Sequence, residues 1–382
     1  MLDETLLDAP DDLALADHRG LLRAAAEAGA RVRTATRHAA EAGITDLHPE
    51  GRPRAVLLAG PGTVAAGVAD LIGALAGASA PVVRLQPTGV APAAGALRWA
   101  LPGWAGSVDL LLLPTTDGSE PGLALLAEQA YRRGVTVVAV APKASPLAEA
   151  VSGSHGLFVP MATAPNETPD DSTEGLAAGP GALWALFTPL LVLLDRVGLL
   201  EAPPETLEKV ADRLDRTAER CGPAIATYSN PAKTLAAELA DSLPLIWTEG
   251  AAAGPAGRRF AAVLAEIAGL PALAAELPEA LPAHGVLLAG DYAAGADPED
   301  FFRDRVEEQQ ALRARVVLLR DRPTDGLTAA HAARELALSH ETAISELEPE
   351  EGGDLETLAE LLAVTDFAAA YLSLATPGRT PH

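Results

Sequence analysis

Cysteine is nearly absent: Cys221 stands alone in 382 residues. That excludes an intramolecular disulfide and a cysteine-built metal site, and it suits a reducing compartment. Positive charge is scarce too, with 28 Lys and Arg against 52 Asp and Glu for a formal charge of −24, and lysine occurs only at 143, 209 and 233. So anionic a surface repels phosphate backbones and acidic headgroups, which disfavours generic binding to nucleic acid or membrane. The most apolar stretch, 181–200, is interrupted by Pro189, Asp195 and Arg196, so it reads as a buried helix and not a membrane span. The histidines form no H-E-x-x-H and no serine sits in G-x-S-x-G, which leaves no metal-hydrolase or serine-hydrolase signature. The opening MLDETLLDAPDD is acidic, the wrong sign for a secretory signal. The expectation is a cytoplasmic protein with no metal or other cofactor and no nucleic-acid or membrane partner.

What is present is a globular composition, 49% hydrophobic, and a length that fits two domains. Apolar residues at helical spacing over 13–43 predict one or two helices before the first strand, and five arginines there (Arg19, Arg23, Arg31, Arg33, Arg37) form either a solvated face or a basic binding face. From residue 54 short apolar runs alternate with helical stretches: AVLLAG (55–60), PVVRLQ (81–86), VDLLLLPTT (108–116), VTVVAVAP (135–142) and HGLFVP (155–160), with helices near 63–77, 92–101, 119–133 and 145–152. Continuous Val and Leu runs are what strands show when helices cover both sheet faces, so this is a doubly wound parallel α/β domain. Its ligand belongs beyond the carboxyl ends of the strands, in the loops starting at Gly60 and Thr115.

Residues 162–180 are rich in Pro, Gly, Ser, Thr and acids and read as an exposed loop, followed by an apolar helix over 181–198, a break at EAPPE (201–205) and a charged helix to about 221. The second half repeats the rhythm, with LPLIWTE (243–249), GVLLAGD (285–291), ARVVLLRD (314–321) and TAISELE (342–348) as strands and helices near 254–268, 326–338 and 353–375. The boundaries are 1–50 for an N-terminal helical segment, 51–200 for the first domain, and 201–382 for a linker helix plus the second.

Three groups of residues could carry chemistry. Gly60-Pro-Gly62-Thr63 lies between a strand and a helix, where backbone amides, a glycine's close approach and a hydroxyl can cradle an anion, although a tight turn with Thr63 as helix cap explains it equally well. Thr115-Thr116-Asp117-Gly118-Ser119-Glu120 follows the most apolar strand and can hold a polar ligand, or simply cap a helix through Asp117 or Ser119, and its two carboxylates work against phosphate. Glu266 on an apolar helix, with His284 eighteen residues on, could supply a general base and a hydroxyl proton shuttle, or be a surface Glu and a loop His.

The central run Glu219-Arg-Cys-Gly-Pro223, then Asn230-Pro-Ala-Lys-Thr-Leu-Ala236, then Leu243-Pro-Leu-Ile-Trp247, resembles the inter-domain segment of the bifunctional phosphoglucose/phosphomannose isomerases, built from two sugar-isomerase (SIS) domains. The resemblance covers roughly residues 50 to 375. It implies two flavodoxin-like αβα SIS domains, each a parallel sheet flanked by helices, in a homodimer whose active site lies between domains and is completed by the partner subunit. It also implies aldose–ketose isomerisation of glucose or mannose 6-phosphate with fructose 6-phosphate, without metal or nucleotide. Residue by residue, the family base N-E-N-A-K-x-P-A falls on Ala265-Glu266-Ile-Ala-Gly-Leu-Pro-Ala272, which keeps the Glu and loses both Asn and the Lys. The histidine of L-P-E-x-x-H-N falls near Leu277-Pro-Glu279, with Pro282 at its position and His284 two residues later. The phosphate loops G-M-G-G-S and S-Y-S-G-N-T-E become Gly60-Pro-Gly62-Thr63 and Thr115 to Glu120, with Asp117 at a serine position, and the P-R step becomes Pro180-Gly181. The resemblance therefore gives two readings, an isomerase using Glu266 and His284, or a non-catalytic SIS protein that binds a carbohydrate derivative or partners sugar-phosphate enzymes. A DNA-binding regulator with a SIS sensor is disfavoured by the charge.

Overall fold

The computed structural model describes residues 2–89, 97–162, 180–289, 313–321 and 328–376. The chain opens with helices α1 (Glu4–Leu7), α2 (Pro10–Ala16), α3 (Leu21–Ala26) and α4 (Ala28–Glu41). It divides into two compact units, Arg23–Arg216 and Met1–Leu22 together with Thr217–His382. The N-terminal stretch that the sequence presents as one helical segment is thus shared between them.

In the unit Arg23–Arg216, β1 (Val56–Leu58), α5 (Gly62–Ala76), β2 (Val82–Arg84), β3 (Leu110–Pro114), α6 (Pro121–Arg132), β4 (Thr136–Ala141), α7 (Pro146–Gly153) and β5 (Leu157–Pro160) alternate strand with helix. Each of the five expected apolar runs holds one strand. The sheet is parallel throughout, in the order β2-β1-β3-β4-β5. β3 is buried at every residue, as a central strand covered on both faces must be. Helix α8 (Ala182–Arg196) is apolar nearly all round and almost wholly buried, with Pro189 inside it. One expectation changes. The stretch 97–101 is not helical: Arg98 bridges Thr88 in antiparallel fashion, while 90–96 and 163–179 lie outside the described residues. Of the two readings of the arginines around α4, the structure favours the solvated face balanced by acids. Arg33 is ringed by Glu208, Asp212 and Asp215 at 2.8, 2.6 and 2.7 Å, and Arg31 is buried. The acid-rich surface that surrounds them supplies the counter-charges.

The long helix α9 (Pro204–Cys221) carries the chain into the second unit. There α10 (Pro231–Leu239), β6 (Ser242–Glu249), α11 (Ala253–Ala268), β7 (Leu273–Glu276), α12 (Ala280–Ala289), β8 (Arg313–Arg320), α13 (Ala330–Ser339), β9 (Ile344–Leu347) and α14 (Asp354–Ala375) build a four-stranded parallel sheet in the order β7-β6-β8-β9. Relative to its own first strand this is the strand order of the first sheet. The run at 285–291, expected as a strand, is helical as far as residue 289, and the strand is instead the unexpected Leu273–Glu276. Residues 280, 284 and 288 are buried while 282 and 286, which a strand would place on the same face, are exposed, the pattern of a helix. Pro282 sits in the first turn, where its missing N–H would have had no partner. By length and composition α14 could cross a membrane, but 89% of its apolar window is buried, as the core helix of this unit.

Candidate ligand-binding site

In a doubly wound sheet the crevice opens where strand order reverses, at the carboxyl ends of the two strands flanking the reversal. In the first sheet those are β1 and β3, paired through Leu58 and Leu112. Gly60 follows β1 so closely that a Cβ there would press on the Pro114 carbonyl at the end of β3, so glycine lets the two loops touch. Gly62, at φ +77°, turns the chain into α5, with Thr63 in its first turn. The cap position belongs to Pro61, not Thr63.

Thr115 is buried at the end of β3, its N–H donating to Val140 O at 3.0 Å. Thr116 is half-buried beside it. The loop then folds around Asp117. Oδ1 of that carboxylate accepts from the Thr115 hydroxyl at 3.2 Å and from the Ser119 backbone N–H at 3.0 Å, while Oδ2 accepts from the Ser119 hydroxyl at 3.0 Å. The Thr115 hydroxyl in turn accepts from Gly118 N–H at 3.1 Å. Gly118 is at φ +65°, and a Cβ on it would meet Ser145 Oγ at 2.5 Å. The Gly118 carbonyl accepts from Leu147 N–H at 3.1 Å, which pins this loop to the start of α7. The N-cap of α6 is Glu120, its carboxylate accepting from Gly122 N–H, not Asp117 or Ser119 as the sequence had suggested. The structure thus brings Gly60, Gly62 and Thr63 together with Thr115, Thr116, Asp117, Gly118 and Ser119 on adjacent loops at one sheet edge.

Glu266 and His284 lie in the other unit, and there they are apart. Glu266 is exposed in the last turn of α11, and since α11 runs back from the carboxyl end of β6 to the start of β7, it stands at the amino edge of the sheet. His284 is buried on α12, where its Nδ1 accepts from Trp247 Nε1–H at 2.9 Å. Helix α11 covers the sheet face carrying Ile246 and Thr248, while α12 packs in the core with Leu245 and Trp247, so the two residues occupy opposite faces. Burial lowers the His284 pKa, and with Nδ1 accepting, the neutral ring carries its proton on Nε2.

The reversal point of the second sheet, between β6 and β8, holds residues the sequence reading passed over. Glu249 accepts from Thr328 Oγ1, from Ala329 N–H at the start of α13 and from Arg320 Nε. Burial would raise its pKa, but those donors outweigh it and leave the carboxyl below its ordinary value. Strand ends flanking a reversal were the available signal: Glu249 closes β6 and Arg320 closes β8. A cleft of about 960 Å³ opens elsewhere, at the amino ends of β3, β4 and β5, lined by Asp109, Tyr131 and His155 among others. Ligand chemistry in parallel α/β sheets belongs to the opposite edge, so the loops and not this cleft are the candidate site.

Residues 228–378 match the family model of the bacterial phospho-glucose isomerase C-terminal SIS domain. No curated protein matches this chain. Among solved structures, similar ones include candidate phosphosugar isomerases from Clostridium difficile 630 (TM-score 0.60, 12% identity, covering 94% of this chain and 96% of that one) and from Salmonella typhimurium LT2 (TM-score 0.56, 15% identity, 91% and 93%). Glucosamine-6-phosphate deaminase from Thermotoga maritima is similar as well (TM-score 0.54, 12% identity, 94% and 95%). At these identities the likeness carries the fold, two parallel sheets flanked by helices. Residues 228–378 are thus similar to the C-terminal SIS domain of bacterial phospho-glucose isomerases, within a fold shared along nearly the whole chain with these solved structures.

Proposed function

We propose that this chain binds a carbohydrate derivative at the carboxyl-edge loops of its first sheet. The observation that carries this reading is the convergence of Gly60, Gly62 and Thr63 with Thr115, Thr116, Gly118 and Ser119 where strand order reverses. Two loops rich in glycine and hydroxyl groups offer close backbone approach and short donors, the groups that hold sugars and their derivatives. The similarity of residues 228–378 to that SIS domain supports a sugar phosphate or a relative of one as the ligand, in a cytoplasmic homodimer.

A second reading is aldose–ketose isomerisation, and a specific observation favours it: the Trp247–His284 hydrogen bond fixes a neutral imidazole with its proton on Nε2, a group chemically able to donate to a ring oxygen. Glu266 is then the base that moves the proton between C1 and C2, through a cis-enediol. Since the two residues occupy opposite faces of one sheet, this reading takes them from different copies of the chain in a dimer.

The test combines a thermal-shift panel of sugars and sugar derivatives with NMR of proton exchange at C2 of glucose and mannose 6-phosphate. Stabilisation by at least one carbohydrate is the expected result, and a wholly silent panel removes the binding reading. Exchange that disappears in Glu266→Gln, by a factor of about 10² or more, establishes isomerisation. No exchange from the wild type at high protein concentration excludes it.

A further inference from the structure

We infer that Asp117 is a built-in anion that keeps phosphate out of the first-sheet loop, so that the ligand meets this loop with hydroxyl groups. The inference rests on the carbohydrate-binding reading above and narrows its ligand class.

A phosphate bound at such a turn uses the loop's backbone N–H groups and hydroxyls as donors to its oxygens. Here those of Thr115, Gly118 and Ser119 are already engaged. The two Asp117 oxygens take the Ser119 N–H, the Ser119 hydroxyl and the Thr115 hydroxyl, and the Thr115 oxygen takes the Gly118 N–H. One step on, Glu120 takes the Gly122 N–H at the start of α6. An incoming phosphate would have to displace a carboxylate from each donor set and then sit beside both negative charges. Among the described residues no basic side chain forms an ion pair with Asp117 or Glu120 to offset that repulsion, and Arg132, in the last turn of α6, pairs with Glu128.

The loop has little freedom to move Asp117 aside. Gly118 is wedged against Ser145 and tied by its carbonyl to Leu147, so the residues flanking Asp117 are fixed to α7. The second sheet also places a carboxylate at its reversal point, although there Arg320 Nε offsets the charge. At its own reversal point the Glu249 carboxylate takes the Thr328 hydroxyl and the Ala329 N–H at the start of α13. Both sheets thus fill the anion position at the strand-order reversal with a carboxylate of their own. A neutral sugar is compatible with this arrangement, because its hydroxyls can donate to Asp117 while accepting from the Thr116 hydroxyl.

The experiment measures binding of inorganic phosphate to the full chain by isothermal titration and thermal shift, for the wild type, Asp117→Ser and Asp117→Asn. Asp117→Asn removes the charge and keeps a carbonyl oxygen for the Ser119 N–H, which guards against a loop that merely collapses. The expected result is no response of the wild type to millimolar phosphate, and a gain of about tenfold or more in one or both variants. Phosphate binding by the wild type that both variants leave unchanged overturns the inference, and so does silence from folded forms of both variants. A gain in the variants alongside a silent sugar panel upholds the exclusion of phosphate while removing the carbohydrate reading, so the two failures are distinguishable.

Discussion

Lys233 is fully buried, and its ammonium donates to the carbonyls of Pro223 and Ile225 at 2.8 and 2.7 Å while lying over the Tyr371 ring. Asn230 donates to Gly222 O and caps α10, and the Tyr371 hydroxyl donates to Cys221 O at 2.7 Å. The most specific run of the sequence, ERCGP followed by NPAK, therefore encodes a backbone clamp and not a chemical group. Burial pushes the Cys221 thiol up to about 12, which leaves it an inert core atom. His284 is where a single residue carries a pH signature. Because burial lowers its pKa, the unfolded chain takes up a proton below about 6.5 that the folded chain resists. Its contribution is complete above that pH and is lost as pH falls toward the folded value. His284→Gln keeps an acceptor for Trp247 and does not titrate. Urea denaturation from about pH 7 to about pH 5 should show the wild type losing more stability than this variant, the difference approaching ~1.4 kcal/mol per pH unit at most. Parallel profiles would mean that His284 is solvated.

At the scale of elements, the strands of the first sheet were legible because each is a continuous apolar run, which only a sheet covered on both faces needs. β7 was not, because LAAE is an edge strand, half-exposed, with alanines where a central strand has Val or Ile. The GVLL run in α12 misled for the converse reason, since a short apolar stretch carries no period of its own and the deciding residues, Ala280 and His284, precede it. The candidate loops were placed correctly at the sheet edge by topology alone, but their hydrogen bonds were not foreseeable. Which group caps α6 depends on the path of Gly118, and that path depends on Ser145 in another loop. This coupling predicts that Gly118→Ala, facing both a positive φ and the Ser145 side chain, costs about 1–3 kcal/mol. Gly153→Ala, in the last turn of α7 with open space around its Cβ, should be neutral within about 0.5 kcal/mol. Thermal denaturation of the two variants side by side measures this, and equal effects would show that the loop is not held against α7.

For the molecule as a whole, the two units share a strand order but not a chain segment each. The first residues join the unit built mostly from residues beyond 217, where Asp3 N–H donates to Ala375 O at 2.7 Å and Asp8 accepts from the Thr227 N–H at 2.8 Å. Leu7 and Leu13 are completely buried. Hydropathy could not reveal this, since the opening twelve residues stand out only as acidic and their partners lie more than two hundred positions away. Local unfolding free energies follow packing and not sequence order. Removing a buried leucine side chain costs about 2–5 kcal/mol when the site cannot collapse. Leu7→Ala should therefore speed amide exchange across α14 and around Thr227, while β3 and β4 of the other unit keep their wild-type protection. Hydrogen exchange read by mass spectrometry over both sets of peptides decides the matter. Equal loss of protection in β3 and β4 would show that the two units unfold as one, and no loss in α14 would show that the N-terminal helices add nothing to the core they contact.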